Sequence, residues 1–443
     1  RTDQRYRTLK SRVYDRLLAA LLNLQVKQPE HSLYLTMYYK CSRNTVAAQT
    51  LMRFASRKSG VQLAERTLSI ADKFHFTDLQ IALCYSLRTS MALLRNNRTY
   101  QLYDLKLSHL LDIQRAELES DYLLDQTLLI TRRQVSTRNE PFDYRASIDR
   151  IETLRNTYGT NTLNLNYFRL KSTYHESNFE YDDLILVCDE ALSYFAEHEH
   201  LSLPARVGEF SLMKAIACSA MRQFDTAVDM SRICMNSFNK GGNNWYLAVD
   251  IGYTAAMNAK AFESALYFHN EALNDSRYQT LPLVMQERWT TYSAYLHLAK
   301  ELKLIRDDDD DRVQNNNFRL ITYLNSVPEF SKEKKYSNYL VIVSHICFLL
   351  VKRKFDDAER RSEYLRTYSL RYLKEPQFER ARVFVKILQY LSRSLDEAKE
   401  DRKLLESMMG DLEQTKVMRH GNEVNEIIPY EVIIDSLLNY QTS

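Results

Sequence analysis

Glycine and proline are scarce in this sequence, which has 8 Gly and 7 Pro among 443 residues. Sandwiches, barrels and doubly wound sheets need many turns that contain these residues, and loops that cradle phosphate need glycine clusters. The chain must therefore consist mainly of long elements joined by short polar turns. This scarcity predicts a helical fold, and it leaves no room for the two common nucleotide-binding patterns, G-x-x-x-x-G-K-[ST] and G-x-G-x-x-G.

Apolar residues recur at helical spacing along almost the whole chain. Within residues 61–74, one helix face carries Val61, Ala64, Leu68 and Ala71, and a second apolar stripe lies beside it. Two stripes on one helix predict neighbours on two sides, as in a stacked array. Breaks at short intervals divide the chain into roughly 18–22 helices, and no alternation typical of strands persists long enough to predict a sheet.

One short pattern occurs three times, as QFDTAVDM around Ala227, AFESALYF around Ala265 and KFDDAERR around Ala358. Each copy has an aromatic residue three positions before the alanine, an acidic residue directly after the aromatic, and a small or apolar residue seven positions after the alanine. A weaker copy surrounds Leu184. The residues that we predict to pack the repeats are Tyr181, Leu184, Ala191, Ala215, Phe224, Ala227, Cys234, Phe262, Ala265, Ala272, Phe355, Ala358 and Leu365.

The spacing of this pattern has a physical reason. The aromatic residue closes the turn between two antiparallel helices, and the acidic residue starts the second helix, where its charge suits the exposed N–H groups. The small residue one turn later lets the first helix approach closely. The residue seven positions further lies on the same face and contacts the next hairpin.

The pattern resembles the second half of the tetratricopeptide repeat (TPR). Ala215 occupies the small-residue position of the first helix, whereas Tyr253 and Ile346 depart from it. The copies are separated by 43, 38 and 93 residues, against a family period of about 34. The resemblance therefore implies an irregular array, with another hairpin and an insertion in the longest gap. The last third of the chain also looks like a group of uncharacterised bacterial helical-repeat proteins.

The resemblance implies an all-α fold, a curved right-handed α-solenoid of antiparallel helical hairpins. We predict N-terminal hairpins in residues 1–135, central TPR-like repeats in 136–304, an acidic and Asn-rich loop in 305–317 and a C-terminal TPR-like region in 318–443. The loop holds five consecutive aspartates, Asp307 to Asp311. A calcium loop needs alternating acidic residues, a glycine and a terminal glutamate. This run lacks that order, so a solvated loop is the better interpretation.

No residue pattern points to catalysis or to a bound metal or cofactor. His198 and His200 flank Glu199, but their spacing does not place them on one face of a helix, and a surface loop is favoured over a metal site. His269 and His345 lie in apolar stretches and are predicted to be hydrogen-bonded residues at the seams between helices rather than catalysts. No nucleophile signature occurs. We therefore predict that the chain is not an enzyme and has no catalytic residue, metal or cofactor.

The six cysteines and the apolar runs bear on the compartment. No two cysteines have a C-x-x-C spacing, which favours reduced, buried thiols and a cytoplasmic location. The longest apolar run, residues 339–351, is too short to span a bilayer, so no membrane association is predicted. The sequence begins at Arg1, which leaves open whether a signal peptide or a further domain precedes it.

A basic stretch is the best candidate for a partner surface. Residues 352–386 contain eleven basic and six acidic side chains with interleaved tyrosines. The interpretations, in order of preference, are a solvated outer face, a dock for an acidic protein and a nucleic-acid surface, because the net charge of the chain is only +3. The candidate partner-binding residues are Arg353, Arg360, Arg361, Tyr364, Arg366, Tyr368 and Arg371.

The function predicted from these features is a non-catalytic scaffold or adaptor that binds a protein or peptide on the concave face of a TPR-like solenoid. The alternative is a sensor in which a bound peptide or small ligand changes the superhelix and controls an effector. A helical enzyme with a dispersed site is the least favoured. One TPR subgroup clamps a peptide carboxylate with asparagines, but the matching positions here are not Asn, namely Thr173, Ile216, Thr254 and Cys347. The sequence leaves the oligomeric state open.

Overall fold

The computed structural model describes residues 4–23, 32–132, 143–305, 319–325, 335–375, 378–393, 402–415 and 426–439. Over these ranges the chain forms 19 α-helices and two short 3-10 helices, and they contain no strand. The all-α prediction is confirmed. The predicted acidic loop at 305–317 lies outside the described residues except for Ile305, as does the aspartate run within it.

The helices fall into two compact units. Unit 1 comprises Arg1–Leu170 and Tyr194–Pro204, and unit 2 comprises Lys171–Ser193 and Ala205–Ser443. The helices that start in unit 1 are α1 (Gln4–Asn23), α2 (Leu33–Phe54), α3 (Arg57–Lys73), α4 (Thr77–Leu93), α5 (Asn97–Arg132), α6 (Tyr144–Tyr158) and α7 (Asn161–Ser177). From α2 to α6 each helix packs against the next one, and α2 also contacts α4.

Unit 2 contains most of the remaining helices. They are α8 (Tyr181–Glu197), α9 (Pro204–Ala220), α10 (Phe224–Ser237), α11 (Asn243–Asn258), α12 (Phe262–Leu273), α13 (Leu283–Glu301), α14 (Leu320–Asn325), α15 (Lys335–Val351), α16 (Phe355–Tyr372), α17 (Glu379–Arg393), α18 (Arg402–Gln414) and α19 (Tyr430–Asn439). The 3-10 helices are Glu199–Leu201 and Tyr278–Thr280. Neighbours in the order α10, α11, α12, α13, α15, α16, α17 and α18 are in contact, and one apolar core runs through them.

Among the described helices, seven end in the same turn, and in each of these turns one residue adopts the left-handed conformation. At Arg222, where φ is 61°, the N–H of Gln223 donates to the carbonyl of Cys218 at 2.8 Å and the N–H of Arg222 donates to Ser219 at 3.1 Å. These two bonds define a Schellman motif. The left-handed residues of the seven corners are His75, Arg95, Phe179, Arg222, Lys260, Lys303 and Arg353, with φ between 54° and 61°.

These corners explain the position of the repeated aromatic residue. A helix begins two residues after the left-handed residue at six corners, and at three of them its first residue is Phe224, Phe262 or Phe355. The three phenylalanines are half-buried and pack against the apolar core of unit 2. A corner at Lys303 lies inside the 93-residue gap between the second and third copies of the motif.

Small residues lie at the helix contacts that follow the corners. The side chains of the following predicted repeat-packing residues are completely buried: Leu184, Ala191, Ala215, Ala227, Cys234, Ala265, Ala272, Ala358 and Leu365. Tyr181, the first residue of α8, is also buried. Because alanine has only a methyl group, the facing helix can approach its backbone closely.

All six cysteines are buried and none forms a disulfide. Burial raises the pKa of the Cys84 thiol to about 11 and the pKa values of Cys188, Cys234 and Cys347 to about 12. These thiols are therefore protonated and unreactive while the chain is folded. Among the described helices, none is both long enough and apolar enough to cross a membrane.

Candidate functional site

The candidate partner-binding residues lie on α16 and on the corner before it. Two aspartates in the first turn of α16, Asp356 and Asp357, suit the positive end of the helix. Ala358 and Leu365 lie on the buried side of α16 and pack it against the core. Tyr368 also belongs to that buried side, with 5% exposure and its ring centroid 4.7 Å from that of Tyr372.

The helix separates the remaining candidates into two groups. Arg360, Tyr364 and Arg371 are spaced four and seven residues apart and are exposed along one side of α16. Arg366 projects from a different side, and Arg361 is half-buried. Arg353 is exposed at the corner that precedes the helix.

Carboxylates within unit 2 neutralise part of the positive charge. Arg360 pairs with Asp357, and the guanidinium Nε of Arg366 lies 3.4 Å from a carboxylate oxygen of Glu363. Arg393 of α17 approaches the same Glu363 at 3.2 Å. Glu363 therefore receives two arginines from two helices, and Arg366 is less available to a partner.

Two further arginines of the basic stretch bind groups within the chain and so stabilise the fold. The Arg380 side chain is 9% exposed and lies between Glu426 and Glu431, with N–O distances of 2.8 and 2.6 Å. Arg382 donates to the backbone carbonyls of Leu373 at 2.7 Å and Glu375 at 2.8 Å. The eleven basic residues counted in the sequence therefore overstate the charge on the surface.

Arg353 and Arg371 differ from these residues because neither forms an ion pair with any described residue. The guanidinium carbon of Arg371 lies 5.3 Å from the ring centroid of Tyr372, which is a cation–π distance. Tyr364, which is 41% exposed, presents its ring on the same side of α16. We call Arg353, Arg360, Tyr364 and Arg371 the Arg–Tyr surface.

The histidines of the apolar stretches are buried seam residues. The Nε2 atom of His269 lies 2.7 Å from Ser293 Oγ, and because that hydroxyl donates to Trp289, the imidazole is the donor. Burial lowers the pKa of His269 to about 4. Burial, followed by the charge of Arg361, lowers the pKa of His345 to about 4. Both imidazoles are neutral at pH 7.

A polar network in unit 1 was not predicted from the sequence. The backbone N–H of Asn161, at the start of α7, donates to His75 Nδ1 at 3.1 Å. Farther along α7, the Asn166 amide donates to Ser120 Oγ at 3.0 Å and to an Asp121 carboxylate oxygen at 2.7 Å, both on α5. The sequence signal was present, since three asparagines interrupt the apolar stretch TNTLNLNYF.

Two titratable groups of this network are shifted towards their neutral forms. Burial raises the pKa of Glu117, against the opposing effect of hydroxyl hydrogen bonds from Thr160 and Thr77. Burial, then the charges of His200 and His198, lowers the pKa of His75. Neutral His75 can accept the hydrogen bond from α7 because its Nδ1 carries no proton. The network thus holds the α3–α4 corner against the start of α7.

The histidine pair His198 and His200 is placed by aromatic neighbours. The His198 ring stacks on Tyr194 with centroids 4.5 Å apart, and its Nδ1 lies 2.9 Å from the Tyr194 carbonyl oxygen. His200 packs edge-on against Phe74 at 5.7 Å. In the described part of the chain the only group of three residues that could hold a metal ion is a different one, His175, Glu180 and Asp183.

Comparison with known proteins adds no family to this description. No protein-family model, no curated protein and no solved structure matches the chain.

Proposed function

We propose that the chain is a non-catalytic scaffold or adaptor of the TPR-like class that binds an acidic protein partner through the Arg–Tyr surface. The observation that supports this proposal is the presence of two exposed arginines that pair with no carboxylate of the described residues, Arg353 at the corner before α16 and Arg371 on α16, together with the exposed ring of Tyr364 on the same side of α16 as Arg371. Arginine and tyrosine are enriched in protein interfaces and frequently dominate their binding energy.

The architecture in this proposal is a curved right-handed solenoid of antiparallel helical hairpins. Seven identical corners and the contacts between successive helices support it. Fully buried alanines after the corners, such as Ala227 and Ala265, support the close hairpin packing that a TPR-like repeat requires. In such an array the outer charged residues select the partner.

An acidic protein is favoured over nucleic acid as the partner. Asp356, Asp357, Glu359 and Glu363 lie on the same helix as the Arg–Tyr surface, and their charges repel a phosphate backbone, which carries its charge continuously. A protein can place carboxylates opposite Arg353 and Arg371 while it avoids the four acidic side chains.

Affinity capture with matched variants tests the proposal. The double variant Arg353→Glu/Arg371→Glu reverses both unpaired charges, and Arg366→Glu is the control on a different side of the same helix. We expect a reproducible protein to be captured by the wild-type chain and by the control but to be lost with the double variant. Titration of that purified protein should show a Kd weakened by at least about tenfold, since rim and central charge reversals each cost of order 1 kcal/mol or more.

Three results would contradict the proposed role. The first is equal capture by the wild type and the double variant, and the second is loss of capture with Arg366→Glu alone. The third is recovery of RNA or DNA whose binding depends on Arg353 and Arg371. Both arginines are exposed, so we expect the variants to fold. Circular dichroism spectra that match the wild type would exclude a folding defect.

A further inference from the structure

Three potential metal ligands meet at the corner between α7 and α8. The Nδ1 atom of His175 lies 2.7 Å from a carboxylate oxygen of Glu180. One ligand atom each of His175, Glu180 and Asp183 falls within 4.8 Å of the other two. In a tetrahedral site with bonds of about 2.0–2.2 Å, the ligand atoms lie about 3.3–3.6 Å apart. His175 Nδ1 and the Glu180 oxygen would therefore separate slightly, and the Asp183 oxygen would move closer by at most about 1.5 Å.

The backbone of the corner positions these side chains. Phe179 adopts the left-handed conformation with φ at 58°, and the N–H of Glu180 donates to the His175 carbonyl at 2.9 Å. The chain therefore reverses between His175, in the last turn of α7, and Asp183, in the first turn of α8. Ligands five and eight residues after the histidine come together only because of this reversal.

The other corners have the same backbone but lack this set of side chains. At the Arg222 corner, the positions equivalent to His175, Glu180 and Asp183 hold Cys218, Gln223 and Thr226. At the Arg353 corner they hold Leu349, Lys354 and Asp357. The corner geometry alone does not require an imidazole with two carboxylates, so their convergence at Phe179 is a separate feature of the sequence.

We propose that the α7–α8 corner binds a divalent transition-metal ion through His175 Nδ1 and the carboxylates of Glu180 and Asp183. One nitrogen and two oxygen ligands suit Zn²⁺, and water would complete the coordination. Ca²⁺ is disfavoured because it takes oxygen ligands only. The side chain of His175 is 14% exposed and that of Glu180 is 40% exposed, while Asp183 is exposed, which gives an ion access from solvent.

The charge around the corner supports cation binding. The segment from Glu176 to Asp183 carries four acidic residues and no basic one. In the absence of a metal, the hydrogen bond between His175 and Glu180 holds two of the ligands in place. Metal binding would replace this hydrogen bond with bonds from both side chains to the ion.

Calorimetric titration of the full chain with Zn²⁺ tests this site. We expect Asp183→Asn to weaken Zn²⁺ binding at one site by at least about tenfold, since even loss of a residue that only orients a ligand typically costs about 10–100-fold. The control is Asp225→Asn, because Asp225 is also an exposed aspartate in the first turn of a helix, α10, without a histidine at its corner. Its Zn²⁺ affinity should match that of the wild type, and Mn²⁺ should bind more weakly than Zn²⁺.

Three outcomes would overturn the assignment. One is Zn²⁺ binding that is equal in the wild type and Asp183→Asn, and another is the absence of Zn²⁺ binding to the wild type. The third is Ca²⁺ binding as tight as Zn²⁺ binding and unchanged in His175→Ala, which would indicate a general acidic cluster. If His175→Ala does not fold, Asp183→Asn decides the question, because the exposed Asp183 side chain contributes little to packing.

Discussion

One glycine lies at the α2–α3 contact of unit 1 and another at the α11–α12 contact of unit 2, and each allows two helices to pack closely. The atoms that limit how closely the two helices approach differ between the two contacts. A Cβ atom on Gly60 of α3 would lie 2.7 Å from Cγ of the Met52 side chain and also, in the backbone of α2, 2.8 Å from the Met52 nitrogen and 2.9 Å from the Ala48 oxygen. A Cβ atom on Gly252 of α11 would lie 2.5 Å from ring atoms of Phe268 in α12.

The difference shows that two tight helix contacts can differ in how well they tolerate a larger residue. Backbone atoms of a helix cannot move without the whole helix, so the distance at Gly60 fixes how closely α2 and α3 pack. A ring can be replaced by a smaller side chain, so the contact at Gly252 can be repacked. Glycine scarcity makes both positions conspicuous, since the whole chain has 8 Gly.

The largest effect is expected for Gly60→Ala. Because the new methyl group would meet the backbone of α2, we expect the free energy of unfolding to fall by about 3 kcal/mol or more, the upper part of the range for overpacking. Urea denaturation followed by circular dichroism measures the change. Gly410→Ala is the control, because apart from its own helix no described atom lies within 4 Å of that Cβ position, and it should stabilise α18 by up to about 1 kcal/mol. Equal stabilities for Gly60→Ala and the wild type would contradict the backbone limit.

The next largest effect is expected in the pH dependence of the free energy of unfolding, through the buried His269 of α12. Burial lowers the pKa of His269 from 6.5 to about 4, so the folded state binds a proton less readily than the unfolded state. The contribution of neutral His269 is therefore complete above pH 6.5 and is lost as the pH falls towards 4. The loss should approach about 2–3 kcal/mol, given about 1.4 kcal/mol for each pKa unit.

Denaturation of His269→Gln between pH 7 and pH 4 measures this contribution. The variant should lose less stability than the wild type over that interval, because glutamine does not titrate there. His109→Gln removes an exposed histidine and should leave the slope unchanged. A slope in His269→Gln as steep as in the wild type would assign the pH dependence to other groups.

A smaller effect is expected for Gly252→Ala, with a loss of about 1–2 kcal/mol through contact with the Phe268 ring. The double variant Gly252→Ala/Phe268→Leu removes the nearest ring atoms and should recover part of that loss. A double-mutant cycle should therefore give a favourable coupling of about 1 kcal/mol. Additive losses would mean that the ring does not limit the approach, and the contrast with Gly60 would disappear.

The smallest effect concerns the corner that joins α11 to α12. Lys260 has φ at 58°, a conformation that costs a residue with a Cβ atom about 1 kcal/mol relative to glycine. Lys260→Gly should therefore raise the free energy of unfolding by up to about 1 kcal/mol. Lys40→Gly replaces an exposed lysine in the interior of the helix α2 and should lower it by a similar amount. A loss of stability in both variants would exclude backbone conformation as the cause.

The helical fold could be predicted because it follows from the scarcity of glycine and proline and from the helical spacing of the apolar residues. The corners could not be fully predicted, because their bonds join backbone groups and impose no residue type. His75, Arg95 and Lys303 occupy the same conformation as Arg222, yet no aromatic–acidic pattern follows them as it follows Arg222. The predicted domain boundaries remain predictions, since the 135/136 junction and most of the 305–317 loop lie outside the described residues.

The sequence located the candidate surface, but it did not show which of its residues share one exposed side of the helix. Counting basic residues placed Arg366 and Tyr368 beside Arg371, whereas the helix separates Arg366 from Arg371 and buries Tyr368. The pairing of Glu363 with Arg393 depends on the contact between α16 and α17, which no local spacing encodes. The cluster of potential metal ligands was not anticipated for a related reason, because His175 approaches Asp183 only after the chain turns at Phe179.

Because all six thiols are buried, their reaction with an alkylating reagent can report where the chain unfolds. Cys41 and Cys84 lie in unit 1, whereas Cys188, Cys218, Cys234 and Cys347 lie in unit 2. A short pulse of an alkylating reagent modifies only thiols that have become exposed, so peptide mapping at rising denaturant concentration would record the order in which the two units open. Natural cysteines would then reveal the cooperativity of unfolding without any foreign label.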